Sequence, residues 1–295
     1  MGSNAVTVVR AFDGSLDDAK GLLAVEQATF DESRYSAEQV RTMLSDGPQH
    51  AWLALGGDRV IGFVIAFRTD GLAGAWWEID LVAVHPAWRG RGLASRLVRA
   101  AAAHGAQVAH RTRAVVAADN SASARAFTRT GFRMEPQVYE LLIYRPEDRK
   151  PRSRIIPGVT IHKTSSLAQA AEWMADSEAR RNLSGVTLLL SEPEGGPVGY
   201  AELIKVQTLL YRGVWIESLV ASTQTAKRAL ICRATDWARV RGLDEIGMMV
   251  PGDDQAVQEL FLGADFRSLG TFRWLTAELP LPGLASARPS EPTPR

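Results

Sequence analysis

The chain has 295 residues, 46% of them hydrophobic, and its 34 Lys and Arg against 33 Asp and Glu leave a formal charge of +1. That length suits two domains at about 150 residues each, and the balanced charge supplies no bulk field for nucleic acid or an anionic membrane, so a small or locally recognised ligand is expected. A single cysteine, Cys232, excludes an intramolecular disulfide and a multi-cysteine metal site, and it reads as a small apolar core residue.

No stretch approaches the roughly 18 apolar residues of a membrane-spanning helix, and the N-terminus lacks a charged-then-apolar leader pattern. The expectation is a cytoplasmic protein, monomer or homodimer, without a membrane or nucleic-acid partner and without a metal.

Residues 6 to 10 alternate weakly and predict a first strand. Ser15, followed by Asp17 and Asp18, predicts a helix start carried on by Leu22, Leu23, Val25 and Glu26. Ser36 with Gln39 three residues on is a capping box for a second short helix ending near Leu44. The loop between them, Phe30 to Tyr35, reads as a rim at which Glu26, Asp31 and Glu32 attract a cationic amine or are simply solvated. Strands from His50 to Leu55 and from Val60 to Phe67 are joined through Gly56-Gly57-Asp58, a hairpin turn.

A strand from Trp76 to Val84 is closed by Pro86, which belongs at a strand's margin. Arg89-Gly90-Arg91-Gly92 follows, and Leu93, Leu97, Val98 and Ala101 then recur at helical spacing up to Gly105. The first turn of a helix has unpartnered N–H groups and a partial positive charge, so glycines and arginines placed there form a cradle for phosphate. By itself such a turn is more often a tight connection than a ligand site. A further strand from Arg113 to Ala118, Asn120 before a helix from Ser121 to Arg129, Gly131-Phe132, and a last strand from Val138 to Tyr144 complete this half.

Residues 146–158 have the charged, proline-bearing composition of a linker, and 280–295 that of a disordered tail. Residues 159–279 repeat the order of 1–145. Val60-Ile61-Gly62-Phe63 is echoed by Pro197-Val198-Gly199-Tyr200, and Ile79-Asp80-Leu81-Val82-Ala83 by Glu217-Ser218-Leu219-Val220-Ala221. Asn120 with Phe127 and Phe132 is echoed by Asp254 with Phe261 and Phe266. The second copy has no glycine where the first has its Arg/Gly turn, only Ser222-Thr223-Gln224, which can cap a helix.

Arg89-Gly90-Arg91-Gly92-Leu93-Ala94 after Val82-Ala83-Val84, with Asn120 and Gly131-Phe132 downstream, resembles the acyl-CoA signature of the GCN5-related N-acetyltransferase (GNAT) superfamily. The whole chain resembles a tandem pair of such α/β folds, each a mixed twisted sheet flanked by helices, with a degenerate second copy. The resemblance implies an acetyl-CoA-dependent N-acetyltransferase acting by direct transfer to a primary amine of a small molecule or peptide, with its site in the N-terminal half. It implies that main-chain groups of Val82 and Val84, beside Ala83, bind the pantetheine arm. Arg89, Gly90, Arg91, Gly92, Leu93, Ala94 and Ser95 would cradle the pyrophosphate, while Asn120 and Phe127 flank the cofactor.

A strand glutamate at the place of Glu78 is the base in some relatives, and Asp80 lies two residues on, on the same face unless a bulge intervenes. Equally, each carboxylate faces solvent or pairs with an arginine. Phe127 stands where many relatives have the tyrosine that protonates the leaving thiolate. That departure keeps open an alternative, a non-catalytic acyl-CoA-binding or partner-binding protein.

Overall fold

The computed structural model describes residues 7–30, 35–146, 160–164, 187–192, 199–209 and 212–283, with backbone alone for 160–164 and 187–192. The start of the expected tail, 280–283, is packed, with Leu281 buried and Pro282 O accepting from Arg99, whereas the expected linker beyond Pro146 and residues 284–295 of the tail, like Asp31 and Glu32, lie outside the described residues. Among these, the elements of the first half are β1 (Thr7–Ala11), α1 (Leu16–Thr29), α2 (Ala37–Asp46), β2 (Gln49–Gly56), β3 (Arg59–Gly71) and β4 (Gly74–Val84), then α3 (Leu93–Gly105), β5 (Arg111–Ala117), α4 (Ser121–Thr128), β6 (Arg133–Met134) and β7 (Tyr139–Tyr144). The second half contributes β8 (Thr160–Thr164), β9 (Thr187–Glu192), β10 (Gly199–Gln207), β11 (Arg212–Ala221), α5 (Gln224–Val240), β12 (Glu245–Pro251), α6 (Gln255–Gly263) and β13 (Arg267–Glu278). The class is the expected one, a twisted mixed sheet flanked by helices.

Local chemistry accounts for the helix starts. Ser15 Oγ accepts from the Asp18 N–H at 3.1 Å, and at Ser36 both halves of the capping box form, at 3.3 and 2.8 Å. The expected apolar face of α3 is buried throughout, and Gly105 at its end lets Trp77 come so close that a Cβ there would lie 2.5 Å from the indole.

A single sheet runs through both halves in the order β1-β2-β3-β4-β5-β13-β7-β12-β11-β10-β9-β8. The halves exchange their last strands. β13 pairs antiparallel with β5, from Phe272 opposite Ala117 to Glu278 opposite Arg111, while β7 pairs with β12, from Tyr139 opposite Pro251 to Tyr144 opposite Ile246. The cores follow the strands: Leu275, Ala277 and Leu281 are buried beneath α3 and α4, and Leu142 is buried in the cluster under α5 and α6.

The echo of Asn120, Phe127 and Phe132 in Asp254, Phe261 and Phe266 is a structural equivalence, whereas that of Ile79 to Ala83 in Glu217 to Ala221 is one residue out. Gly62 faces Val84 as Gly199 faces Ala221, which sets Asp80 against Glu217. Pro197 and Val198 lie outside the described residues. Asn120 and Asp254 each cap a helix through a side-chain oxygen, from Ser123 N–H at 3.0 Å and Val257 N–H at 3.1 Å. Phe127 and Phe132 meet edge to face at 5.1 Å, Phe261 and Phe266 at 4.8 Å. Gly131 and Asp265 both turn the chain at positive φ, +107° and +74°.

Two departures from regular sheet position the site. β4 and β5 are parallel partners only at Trp77 with Thr112 and Glu78 with Arg113, so β4 has no partner on that side from Ile79 onward. In addition β4 carries a bulge: Ile79 faces Ala66 and Leu81 faces Ile65, leaving Asp80 without a partner on β3. The bulge moves the alternation by one residue, so that Ile79, Val82 and Val84 pack beneath α3 whereas Leu81 and Ala83 pack with α1 and α2. β11 has the matching bulge at Glu217, between the pairs Glu202 with Ser218 and Leu203 with Ile216.

Candidate active site

Where β4 leaves β5, a cleft of about 590 Å³ opens between β4, α3 and α4. Val82, Ala83, Val84, Arg89, Gly90, Gly92, Leu93, Ala94, Ser95, Asn120 and Phe127 line it, which brings together every residue expected to hold the cofactor except Arg91. Arg91 instead stacks its guanidinium 4.7 Å from the centre of the Trp88 ring, and Trp88 lines the cleft. Phe30, at the rim expected from the sequence, lines it too.

The backbone explains why this cleft suits a phosphate-bearing ligand. Gly90 and Gly92 adopt φ of +77° and +74°, and Gly92 is the N-cap of α3 without a side-chain hydrogen bond to the first turn. The N–H groups of that turn therefore have no intrahelical partner and no cap, and a Cβ at either glycine would stand in open space. His85 N–H donates to Ile61 O at 2.9 Å, so by the alternation of an antiparallel ladder Val82 and Val84 turn their main-chain groups away from β3, toward the gap. Arg89 Nε uses one of them, donating to Val84 O at 3.2 Å.

A second cavity, of about 410 Å³, is lined by the preceding stretch of β4, Glu78, Ile79 and Asp80, and by residues of both halves. The two candidate bases have different surroundings. Glu78 accepts from Thr69 Oγ1 at 2.5 Å and from Arg113 Nε at 2.9 and 3.0 Å. The other end of the same guanidinium donates to Glu217 of the second half at 2.6 and 3.0 Å. The Arg113 guanidinium lies 4.5 Å from the centre of the Trp274 ring and 5.0 Å from that of Trp76. Burial alone would lower its pKa, but the two carboxylates hold it above the ordinary arginine value. Glu78 is therefore a charged strut between the halves.

Asp80 has no such partner: its Oδ2 is buried without a hydrogen bond. Burial first, and the Glu78 charge second, push its pKa from 3.8 up to about 7. A carboxyl poised near neutrality in a cavity is suited to take a proton and give it up again. Glu26 of α1 is buried and lines the same cavity rather than facing solvent.

Sequence reasoning overlooked Arg113, Glu217, Trp215 and Trp274 as members of a site. Arg113 carried the one local signal, a cation opening an apolar strand. Tyr139 and Tyr144 do not supply the hydroxyl that Phe127 lacks. Phe127 is buried against Phe132, Tyr144 packs on Phe266 at 5.7 Å in the second-half core, and neither Tyr139 nor Tyr144 lines either cavity.

Residues 20–132 match the model of the family described as acetyltransferase (GNAT) family. The match is confined to this segment of the first half, and the fold of that family supports acyl transfer. The chain as a whole is similar in fold to a GCN5-related N-acetyltransferase from Sphaerobacter thermophilus, at 17% identity and a TM-score of 0.60, covering 92% of this chain and 95% of that one. It is similar to a tandem GNAT protein from the clavulanic acid biosynthesis pathway, at 13% identity and a TM-score of 0.57, covering 92% and 98%. A glucosamine N-acetyltransferase region of a fungal multi-domain GH3 beta-N-acetylglucosaminidase aligns at 14% identity and a TM-score of 0.61, covering 93% of this chain and 38% of that one. No curated protein matches the chain in sequence. Among the described residues no helix is long and apolar enough to cross a membrane.

Proposed function

We propose that the chain is an acetyl-CoA-dependent N-acetyltransferase. In this reading acetyl-CoA binds the cleft beneath α3 and α4, a primary amine enters the cavity between the halves, and the acetyl group passes directly from one to the other. The observation that carries it is the division of β4. Val82 to Val84 line the cofactor cleft, Glu78 to Asp80 line the second cavity, and β5 parts from the strand just after Glu78. The roles of 1–145 as the cofactor-binding half and of 159–279 as the half that walls the acceptor belong to the same proposal.

Asp80 is the base of this reaction. An alkylammonium with a pKa near 10.4 surrenders its proton to a carboxylate of pKa about 7 at a cost of roughly 5 kcal/mol, against roughly 9 kcal/mol for a carboxylate at 3.8. The freed nitrogen lone pair attacks the thioester carbon, the C–S bond breaks, and the nitrogen loses its second proton. The balance is ammonium plus acetyl-CoA to amide, free thiol and one proton. A thiol of pKa near 8.5 leaves as thiolate and takes its proton from water, which removes the need for the hydroxyl that Phe127 lacks.

Incubation with acetyl-CoA and an amine panel, read by thiol release and by mass of the amide, tests the proposal; transfer to none of the amines rejects it. The hydrocarbon face of Phe127 supports a second reading, an acyl-CoA-binding protein without turnover. Tight acetyl-CoA binding by calorimetry together with no transfer is its signature.

A further inference from the structure

The chemistry of the second cavity narrows the acceptor, provided the cavity is the acceptor site proposed above. One part of its wall is hydrocarbon contributed by both halves. Phe67 of β3 packs with Ile204 and Val206 of β10, with Trp215 against them, and Trp274 of β13 meets Trp215 edge to face at 6.4 Å. The charged lining is four carboxylates, Glu26, Glu78, Asp80 and Glu245, against two guanidiniums, Arg113 and Arg145. Both guanidiniums are engaged: Arg113 by Glu78 and Glu217, Arg145 by Glu245 at 2.8 Å. A carboxylate or phosphate on the ligand would compete with those acids for its cation. An ammonium instead finds Asp80, a lining carboxyl that has no ion-pair partner among the described residues.

Size and polarity act together. A volume of about 410 Å³ is near the lower end of small-molecule sites. Hydroxyls or further ammonium groups held against the Phe67, Ile204, Val206 and tryptophan surface would lose water without gaining a partner, at roughly 5- to 150-fold in affinity for each stranded group. We propose that the acceptor is a small monoamine, one ammonium on an aromatic or branched aliphatic body with no acidic group, rather than a polyamine, an aminosugar or a lysine side chain of a polypeptide.

Tryptamine, 2-phenylethylamine and isoamylamine are compared with spermidine, glucosamine, phenylalanine and a lysine-containing peptide on the full chain. Binding is measured by calorimetry and by quenching of tryptophan emission, and turnover by thiol release. At least one apolar monoamine binds tenfold or more tighter than every polar amine. Val206→Thr, which keeps the volume and adds a hydroxyl, weakens that apolar amine about fivefold and leaves acetyl-CoA affinity unchanged. A polar amine that binds more tightly or shows the higher kcat/KM overturns the inference while leaving the transferase reading intact, as does equal affinity in Val206→Thr. An apolar amine that binds and is never acetylated supports the inference and removes the transferase reading. Failure of every amine to bind removes both.

Discussion

The two halves build the same helix start and the same strand bulge, and use them in opposite ways. At α3 the N-cap is Gly92, which leaves the first-turn N–H groups uncapped by a side chain; at α5 it is Thr223, whose Oγ1 accepts from the Ala226 N–H at 3.1 Å. At the bulge of β4 Asp80 keeps a buried, unpartnered oxygen, whereas the bulge acid of β11, Glu217, is consumed by Arg113 from the other half. In the second half the chain itself supplies a partner for the helix start and for the bulge acid, without loss of fold.

Asp80→Asn breaks this contrast most strongly. If Asp80 is the base, kcat falls by about 10² to 10⁴, the wild-type loss of activity as pH drops through about 7 disappears, and acetyl-CoA affinity measured by calorimetry does not change. The same substitution raises stability. A carboxyl whose pKa rises on folding favours the folded state fully below 3.8, and that contribution is lost as pH rises through about 7. Urea denaturation at pH 8 is therefore expected to show the variant more stable by up to about 4 kcal/mol, with little difference near pH 3.5.

Arg113→Met acts on the strut instead. It leaves Glu78 and Glu217 without their cation and costs about 3–5 kcal/mol by denaturant titration at pH 8. Adding Glu78→Gln and Glu217→Gln recovers most of it. Gly92→Trp closes the cradle and weakens acetyl-CoA at least about 100-fold, roughly 3 kcal/mol. It also carries about 1–2 kcal/mol of strain at φ +74°, which a melting curve reads separately. Thr223→Ala is the smallest change: about 1 kcal/mol of stability for the lost cap, with acetyl-CoA affinity as in wild type. A variant whose acetyl-CoA affinity changed would place a cofactor contact in the second half and dissolve the contrast.

Features fixed by neighbours in sequence were legible beforehand: the capping box at Ser36, the Arg/Gly turn, and the paired phenylalanines of both halves. The Arg/Gly residues and Asn120 reach one cleft because a strand, a turn and a helix set their relative positions locally. The bulge at Asp80 was not legible, since alternation along β4 reads equally well with or without one extra residue. Nor was the environment of Glu78, because its partner Arg113 is shared with Glu217, 104 residues further along. Strand partners escaped for a related reason: β7 and β13 are both apolar strands that follow a Phe-bearing helix, and nothing local says which half each one completes.

The strand exchange has a consequence for how such a protein is made. β5, whose splay from β4 opens the cleft beneath α3 and α4, takes its other neighbour among the described residues from Arg267–Glu278. A ribosome must deliver nearly all of the described chain before that edge is covered. Until then the nascent N-terminal half carries an open strand edge beside that cleft, a template for wrong pairing. Each half completes the sheet of the other, so the two fold as one unit.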